Sequence, residues 1–246
     1  MKKAVLLVDI AGVYKAQGFA SWMEGRGIHC EAAQAEGIEG THCYCDGEAE
    51  AALLQAIGAA VGKSVEVLGA TAGEAGEVGE GVPGIRFLGS GDYHYLTCLL
   101  AQGITRPFSL VLMDNHPDNQ EPALGNVLSC GGWVTELQRR CPALEEVLTI
   151  GPEGCPQDIP EGWLEQRSGK DVYLSLDKDI MGPQYAVTGW SQGRRSLEDV
   201  KRMLQRILTS GVNVVAVDIC GETAPENCQA VNLEANKEIL TTLIDN

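Results

Sequence analysis

Phe108-Ser109-Leu110-Val111-Leu112-Met113-Asp114-Asn115-His116-Pro117-Asp118 is the stretch on which the fold turns. Its apolar part has the length and continuity of a strand covered on both faces, as in parallel sheets. The polar part that follows then sits at the carboxyl edge of a buried strand, where open α/β sheets place their ligand crevices. Residues two apart in extended backbone point the same way, so Asp114, His116 and Asp118 share one face. Two carboxylates and an imidazole grouped like this favour a cation between them. Taken alone, the same string also serves as a polar loop capping the next helix, and partners elsewhere in the chain have to decide.

Further apolar runs of strand length occur at Ala4–Val8, Val65–Leu68, Ile85–Leu88, Val147–Ile150, Val172–Leu176 and Val212–Val217, with Thr41–Cys45 a weaker case. Helical patterns lie between them. Glu48–Val61 is rich in Ala and Leu, and Tyr95–Gln102 follows a glycine-rich turn. Ser196–Ser210 opens on a capping-box pair, Ser196 and Asp199, and carries Leu197, Val200, Met203, Leu204, Ile207 and Leu208 at helical period before Gly211 stops it. Pro225–Ile244 reads as a final helix. Alternating strands and helices predict a three-layer αβα sandwich, class α/β, around a mostly parallel sheet of about eight strands. Residues 71–84 read as a surface loop. With no internal repeat and no linker, residues 1–246 form a single domain.

The 246 residues are ample for a large core, and 44% hydrophobic with 21% charged residues is a globular composition. A formal net charge of −16 argues against nucleic acid or an anionic membrane as a partner. The apolar run after Met1-Lys2-Lys3 stops at Asp9, too soon for a signal peptide, and no stretch approaches the roughly 20 apolar residues of a membrane span. Nine cysteines without framework spacing read as free thiols, which places the chain in the cytoplasm. His42-Cys43-Tyr44-Cys45 lacks a second Cys/His motif at zinc spacing and reads as strand and turn.

Two more strand ends carry chemistry. Val172–Leu176 leads into Asp177-Lys178-Asp179, whose carboxylates again share a face, and Ile85–Leu88 leads into Gly89-Ser90-Gly91-Asp92-Tyr93-His94. Each has a bland reading, a solvated strand end or a helix-supporting histidine. Together the three ends offer four carboxylates and two imidazoles, an oxygen-rich set suited to Mn²⁺ or Mg²⁺ rather than to a thiolate-loving metal.

These three stretches resemble, in order, the GGDHS, DAHxD and SxDxDxxDP motifs of the ureohydrolase superfamily, which includes arginase, agmatinase and formimidoylglutamase; the third is Ser175 to Pro183 here. The resemblance spans about residues 85 to 220 and implies two Mn²⁺ ions, or Mg²⁺ or another divalent metal. It implies that Asp114 and Asp177 bridge them, with His94 and Asp118 completing one ion's ligands and His116 and Asp179 the other's. The implied reaction is hydrolysis of a C–N bond in a small linear guanidino or formimino compound by a metal-bridging hydroxide, with Asp179 steering its proton. Family members commonly form homo-oligomers.

The departures are specific. One extra residue before His94 demands a bulge or an altered turn around Tyr93. Gly182 replaces an aspartate that is not a ligand. Gly125-Asn126-Val127-Leu128-Ser129-Cys130 lacks the histidine that family members use after the second motif to shuttle protons, and a rate factor of about 10²–10⁴ rides on such a group. Asp218, in Val217-Asp218-Ile219-Cys220-Gly221-Glu222, takes the position of the family's substrate-pairing glutamate, with a satisfied strand-end carboxylate as its other reading. No loop that would grip an α-carboxylate is recognisable, which disfavours arginine as substrate. Two other classes stay open: a metal-binding protein of this fold without turnover, and a deacetylase-type amidohydrolase.

Overall fold

The computed structural model describes residues 4–62, 84–122, 125, 127–227 and 230–245. Its main sheet is built from β1 (Ala4–Val8), β2 (His29–Ala33), β4 (Ile85–Phe87), β5 (Phe108–Met113), β7 (Leu144–Ile150), β8 (Asp171–Asp177) and β9 (Asn213–Cys220). All seven pair in parallel, in the order β2-β1-β4-β9-β8-β5-β7. The short β3 (Tyr44–Cys45) and β6 (Leu128–Ser129) pair antiparallel in a separate ribbon. Val65–Leu68 and residues 71–83 lie outside the described residues.

Burial on both faces explains the continuous apolar runs. Val5, Leu7, Phe87, Val111, Met113, Leu174 and Ile219 pack on one face with α1 (Val13–Gln17), α2 (Phe19–Glu24), α6 (Leu197–Leu208) and α7 (Ala230–Asp245). The alternate residues Leu6, Val8, Leu110, Leu112 and Tyr173 pack on the other with α3 (Gly47–Val61), α4 (Leu96–Ala101) and α5 (Trp133–Arg140). Helix α6 carries the expected capping box, with Ser196 Oγ accepting from the Asp199 N–H at 3.0 Å and Asp199 Oδ2 from the Ser196 N–H at 3.2 Å. Edge strand β2 was not expected, because His29-Cys30-Glu31-Ala32-Ala33 has no apolar run and only Ala33 is buried. The final helix begins at Ala230, after a 3₁₀ turn at Pro225–Asn227. No described helix is long and apolar enough to cross a membrane.

A buried polar network ties the chain's ends to the sheet edge. Lys178 and Glu222 are fully enclosed and ion-paired. Lys178 Nζ also donates to Asn236 Oδ1 at 2.9 Å, while Asn232, Asn236 and Gln17 donate to the Glu222 carboxylate at 2.9, 2.7 and 2.8 Å. Helices α1 and α7 are thereby fixed to the turn that follows β8. Removing one partner of such a pair strands the other charge. Glu222→Ala is expected to cost roughly 3–5 kcal/mol in urea unfolding, whereas Lys201→Ala, which breaks the exposed Lys201–Glu238 pair, costs below about 1 kcal/mol.

Candidate metal centre

The carboxyl ends of β4, β8 and β5 converge on one cavity of about 330 Å³, walled by Asp114, His116, Asp118, Asp177, Asp179, Gln120, Cys130 and Trp190 among others. Asp114 directly follows β5. Asp177 ends β8 and Asp179 lies in the 3₁₀ turn Lys178–Ile180 that continues it. The extra residue before His94 is absorbed in another 3₁₀ turn, Gly91–Tyr93, which Ser90 caps by accepting from the Asp92 N–H.

Six of the seven residues singled out in the sequence come together here. His94 Nδ1 lies 3.2 Å from Asp114 Oδ2, 3.0 Å from Asp118 Oδ2 and 3.7 Å from Asp177 Oδ2. His116 Nδ1 lies 2.7 Å from Asp179 Oδ2 and 3.5 Å from Asp114 Oδ1. One carboxylate, Asp114, thus turns an oxygen toward each histidine, and the donor atoms form two groups that share it: His94/Asp114/Asp118 and Asp114/His116/Asp179. Asp177 keeps to the His94 side, its Oδ1 accepting the Asp179 N–H at 2.8 Å and its Oδ2 the Cys220 thiol at 3.2 Å.

Supporting contacts hold both imidazoles by their far nitrogens. His94 Nε2 lies 2.8 Å from Ser175 Oγ, and His116 Nε2 lies 2.8 Å from Ser191 Oγ. Protons on those nitrogens leave both Nδ1 lone pairs facing carboxylates, the arrangement of a ligating histidine with its second contact made. Asp118 stands in the left-handed region at φ 46° and is clamped by Trp133, whose Nε1 donates to Oδ2 at 2.7 Å. A non-glycine residue persists there only when its surroundings over-determine it.

The electrostatics also call for a cation. Burial, then the Asp177 and Asp114 charges, push the Asp179 carboxyl up; burial, then Asp114, does the same to Asp177 and to Asp118. Burial opposes ionisation of Asp114 too, but its contacts with His116 and His94 outweigh it and hold it low. The Asp114 and Asp179 contacts raise His116 to about 10. His94 Nδ1 and Asp114 Oδ2 are buried and find no hydrogen-bond partner, although they face each other. Buried polar atoms left in this condition are costly unless something else satisfies them, and divalent cations fit the donor set.

Asp218 takes the second of its two readings, a structural carboxylate, and not the substrate-pairing one. Strand β9 continues through Ile219 to Cys220, so Asp218 lies inside the sheet in register with Arg86 and Ser175. It is 1% exposed, with Arg86 Nε 2.7 Å from Oδ1 and the Tyr173 hydroxyl donating to Oδ2 at 2.5 Å. That makes it a structural carboxylate, ion-paired with Arg86 and held by Tyr173, and absent from the cavity's described lining. Cys220, by contrast, stands beside His94 and Asp177 without a site role in the sequence reading, and Ser175, Ser191, Trp133 and Trp190 likewise have none. The rule that picked Asp114, strand end before polar turn, would have found Cys220 had β9 been read to its end. His42 and Cys43 come to the cavity mouth beside Asp92, with Cys43 Sγ 3.4 Å from Asp92 Oδ1.

No protein-family profile matches the chain. An uncharacterized protein of Thermotoga maritima is 34% identical over 150 residues, 58% of this chain and 59% of that protein's length. Among solved structures, a hypothetical agmatinase from Burkholderia thailandensis superposes with a TM-score of 0.65 at 17% identity, covering 98% of this chain and 84% of that one. An Entamoeba histolytica arginase in complex with L-ornithine does so with a TM-score of 0.62 at 12% identity, covering 99% and 98%. The chain therefore shares the fold of these agmatinase and arginase structures, a parallel sheet between two helical layers.

Trp133→Phe keeps an aromatic ring against His94 but removes the hydrogen bond to Asp118 together with part of the buried indole volume. It is expected to weaken metal binding by roughly 10- to 100-fold with little change in fold, as read by metal titration beside circular dichroism. An unchanged affinity would show that the clamp on Asp118 is irrelevant to the centre.

Proposed function

We propose that the chain is a divalent-metal-dependent hydrolase that cleaves a C–N bond of a small linear guanidino or formimino compound. The observation that carries this is Asp114, whose two carboxylate oxygens face two separate histidine–aspartate groups. His94, Asp114, Asp118 and Asp177 would hold one cation, and Asp114, His116 and Asp179 the other, so that Asp177, a second bridge by the resemblance, serves the His94 side with its other oxygen engaged by the Asp179 N–H. Bound there, a pair of such cations lowers the pKa of a water toward neutrality and stabilises charge on a tetrahedral carbon; Mn²⁺ is the family-like choice.

The chain's own groups supply the rest. Asp179 is oriented by the Asn115 N–H, which donates to Oδ1 at 2.9 Å, so Oδ2 is the atom that would take a proton from the attacking water. Trp190, 42% exposed, stands 6.0 Å from the His116 ring and donates through Nε1 to Asp92 at 3.0 Å, giving the entrance an aromatic wall. Such a wall, in a cavity with no lysine or arginine among its described lining residues, suits a planar cation such as a guanidinium. The volume of about 330 Å³ suits a small molecule.

A second reading, a metal-binding protein of this fold without turnover, draws on the wall after Asp118. Gln120, Ser129, Cys130 and Gly131 line it, and none is a ready proton shuttle at neutral pH; burial first, then the Cys43 charge, pushes the Cys130 thiol up to about 12.

The deciding assay reconstitutes the chain with Mn²⁺, Co²⁺ or Zn²⁺ in turn and follows urea or formamide release from a panel of guanidino and formimino compounds. Turnover of at least one compound, falling to background in Asp177→Ala, is expected. A fully metallated protein that turns over none of them would favour the second reading.

A further inference from the structure

Among the described residues, Cys220 is the sulfur that meets the His94 side of the centre, and no role drawn from the three motifs includes it. Its place follows from strand order. His94 comes from the turn after β4, Asp177 from the end of β8, and β9 runs between those two strands, so its last residue emerges between the two donors. Cys220 is in register with Asp177 and 1% exposed. Its Sγ lies 3.2 Å from Asp177 Oδ2, and with His94 and Asp177 it forms a third group whose donor atoms are all within 4.8 Å of one another. The chain turns away immediately afterwards at Gly221, φ 88°, where a Cβ would come within 2.3 Å of Asp177 Oδ1. That glycine lets β9 approach β8 closely enough to deliver the sulfur.

The second observation is independent of the cysteine. His94 Nδ1 is buried without a hydrogen-bond partner and faces the same space. Its ring is fixed there by Ser175 on the far nitrogen and by Trp133, whose ring centroid is 4.8 Å away. An imidazole lone pair, a carboxylate oxygen and a thiol sulfur thus converge where, among the described residues, the near imidazole nitrogen has carboxylates beside it but no hydrogen bond of good geometry.

We propose that Cys220 is a thiolate ligand of the His94-side metal ion, making that half of the centre a His/Asp/Cys site selective for Zn²⁺, Co²⁺ or Fe²⁺ over Mn²⁺. The inference rests on the reading of this cluster as a metal centre. On binding, the Sγ–H bond breaks, the proton leaves to solvent and the sulfur lone pair goes to the cation. Soft thiolate donors favour later first-row ions, whereas carboxylate and water favour Mn²⁺ and Mg²⁺. Asymmetry follows, because among the described residues the His116 side offers nitrogen and oxygen donors and no sulfur.

Cobalt substitution tests this without reference to catalysis. The full chain is loaded with Co²⁺, bound metal is counted, and the near-ultraviolet thiolate-to-cobalt charge-transfer band is recorded. The expected result is a band that titrates with the first metal, is lost in Cys220→Ala and in Cys220→Ser, and persists in the rim variants Cys43→Ser and Cys130→Ser. Mn²⁺ should also compete better against Zn²⁺ in Cys220→Ala than in the unaltered chain. Cobalt bound without the band, or a band that survives Cys220→Ala, overturns the thiolate ligand and leaves the metal centre standing. No bound cobalt overturns both.

Discussion

Four aspartates gathered at one sheet edge cannot all be ionised without positive charge among them, and this requirement organises that edge. Like charges about 4 Å apart repel by roughly 4 kcal/mol at the effective dielectric of a protein surface. Asp114, Asp118, Asp177 and Asp179 are all buried, so the repulsion cannot be shed into water. Two histidines share the space, but the His94 Nδ1 atom, with carboxylates beside it, makes no well-formed hydrogen bond among the described residues. Divalent cations answer charge and valence together, and the surrounding contacts make sense as preparation for them. Ser175 and Ser191 set the imidazoles, Trp133 clamps Asp118, and the Asn115 and Asp179 backbone N–H groups occupy the oxygens that face away from the shared space.

The fold meets this demand through strand order. Parallel strands bring every carboxyl end to one side, and the order β4-β9-β8-β5 sets the three motif-bearing ends around a fourth. Network contacts on either side stiffen that edge. The Lys178–Glu222 pair, wedged between the two aspartates of its own motif and the final helix, fixes the backbone that carries Asp177 and Asp179. Farther down the sheet, Arg86, Tyr173 and Asp218 close a buried cluster across three adjacent strands.

Much of this was legible in the chain because the decisive strands are fully buried. Phe108–Met113 and Val172–Leu176 announce themselves as continuous apolar runs, and a polar residue after such a run has only the crevice to go to. Where burial is partial the signal fades. Strand β2, His29–Ala33, is an edge strand with a single buried residue, and its sequence reads as nothing in particular. The largest misreading has a single cause. Val212–Val217 ends in sequence where the apolar run is broken by Asp218, yet the strand runs on to Cys220, since an arginine and a tyrosine on neighbouring strands make that aspartate affordable inside. Ending the strand three residues early leaves Cys220 out of the crevice, while resemblance to the family's substrate-pairing glutamate draws Asp218 toward it.

The account's central claim is that Asp114 is shared between two cations, and metal counting on point variants tests it most directly. Elemental analysis of the dialysed, metal-loaded chain should give about two divalent ions per chain. In Asp118→Asn, which touches only the His94 group, one ion should remain, and in Asp114→Asn, which touches both, less than one. A single ion in the unaltered chain, or two retained by Asp114→Asn, would contradict the shared carboxylate.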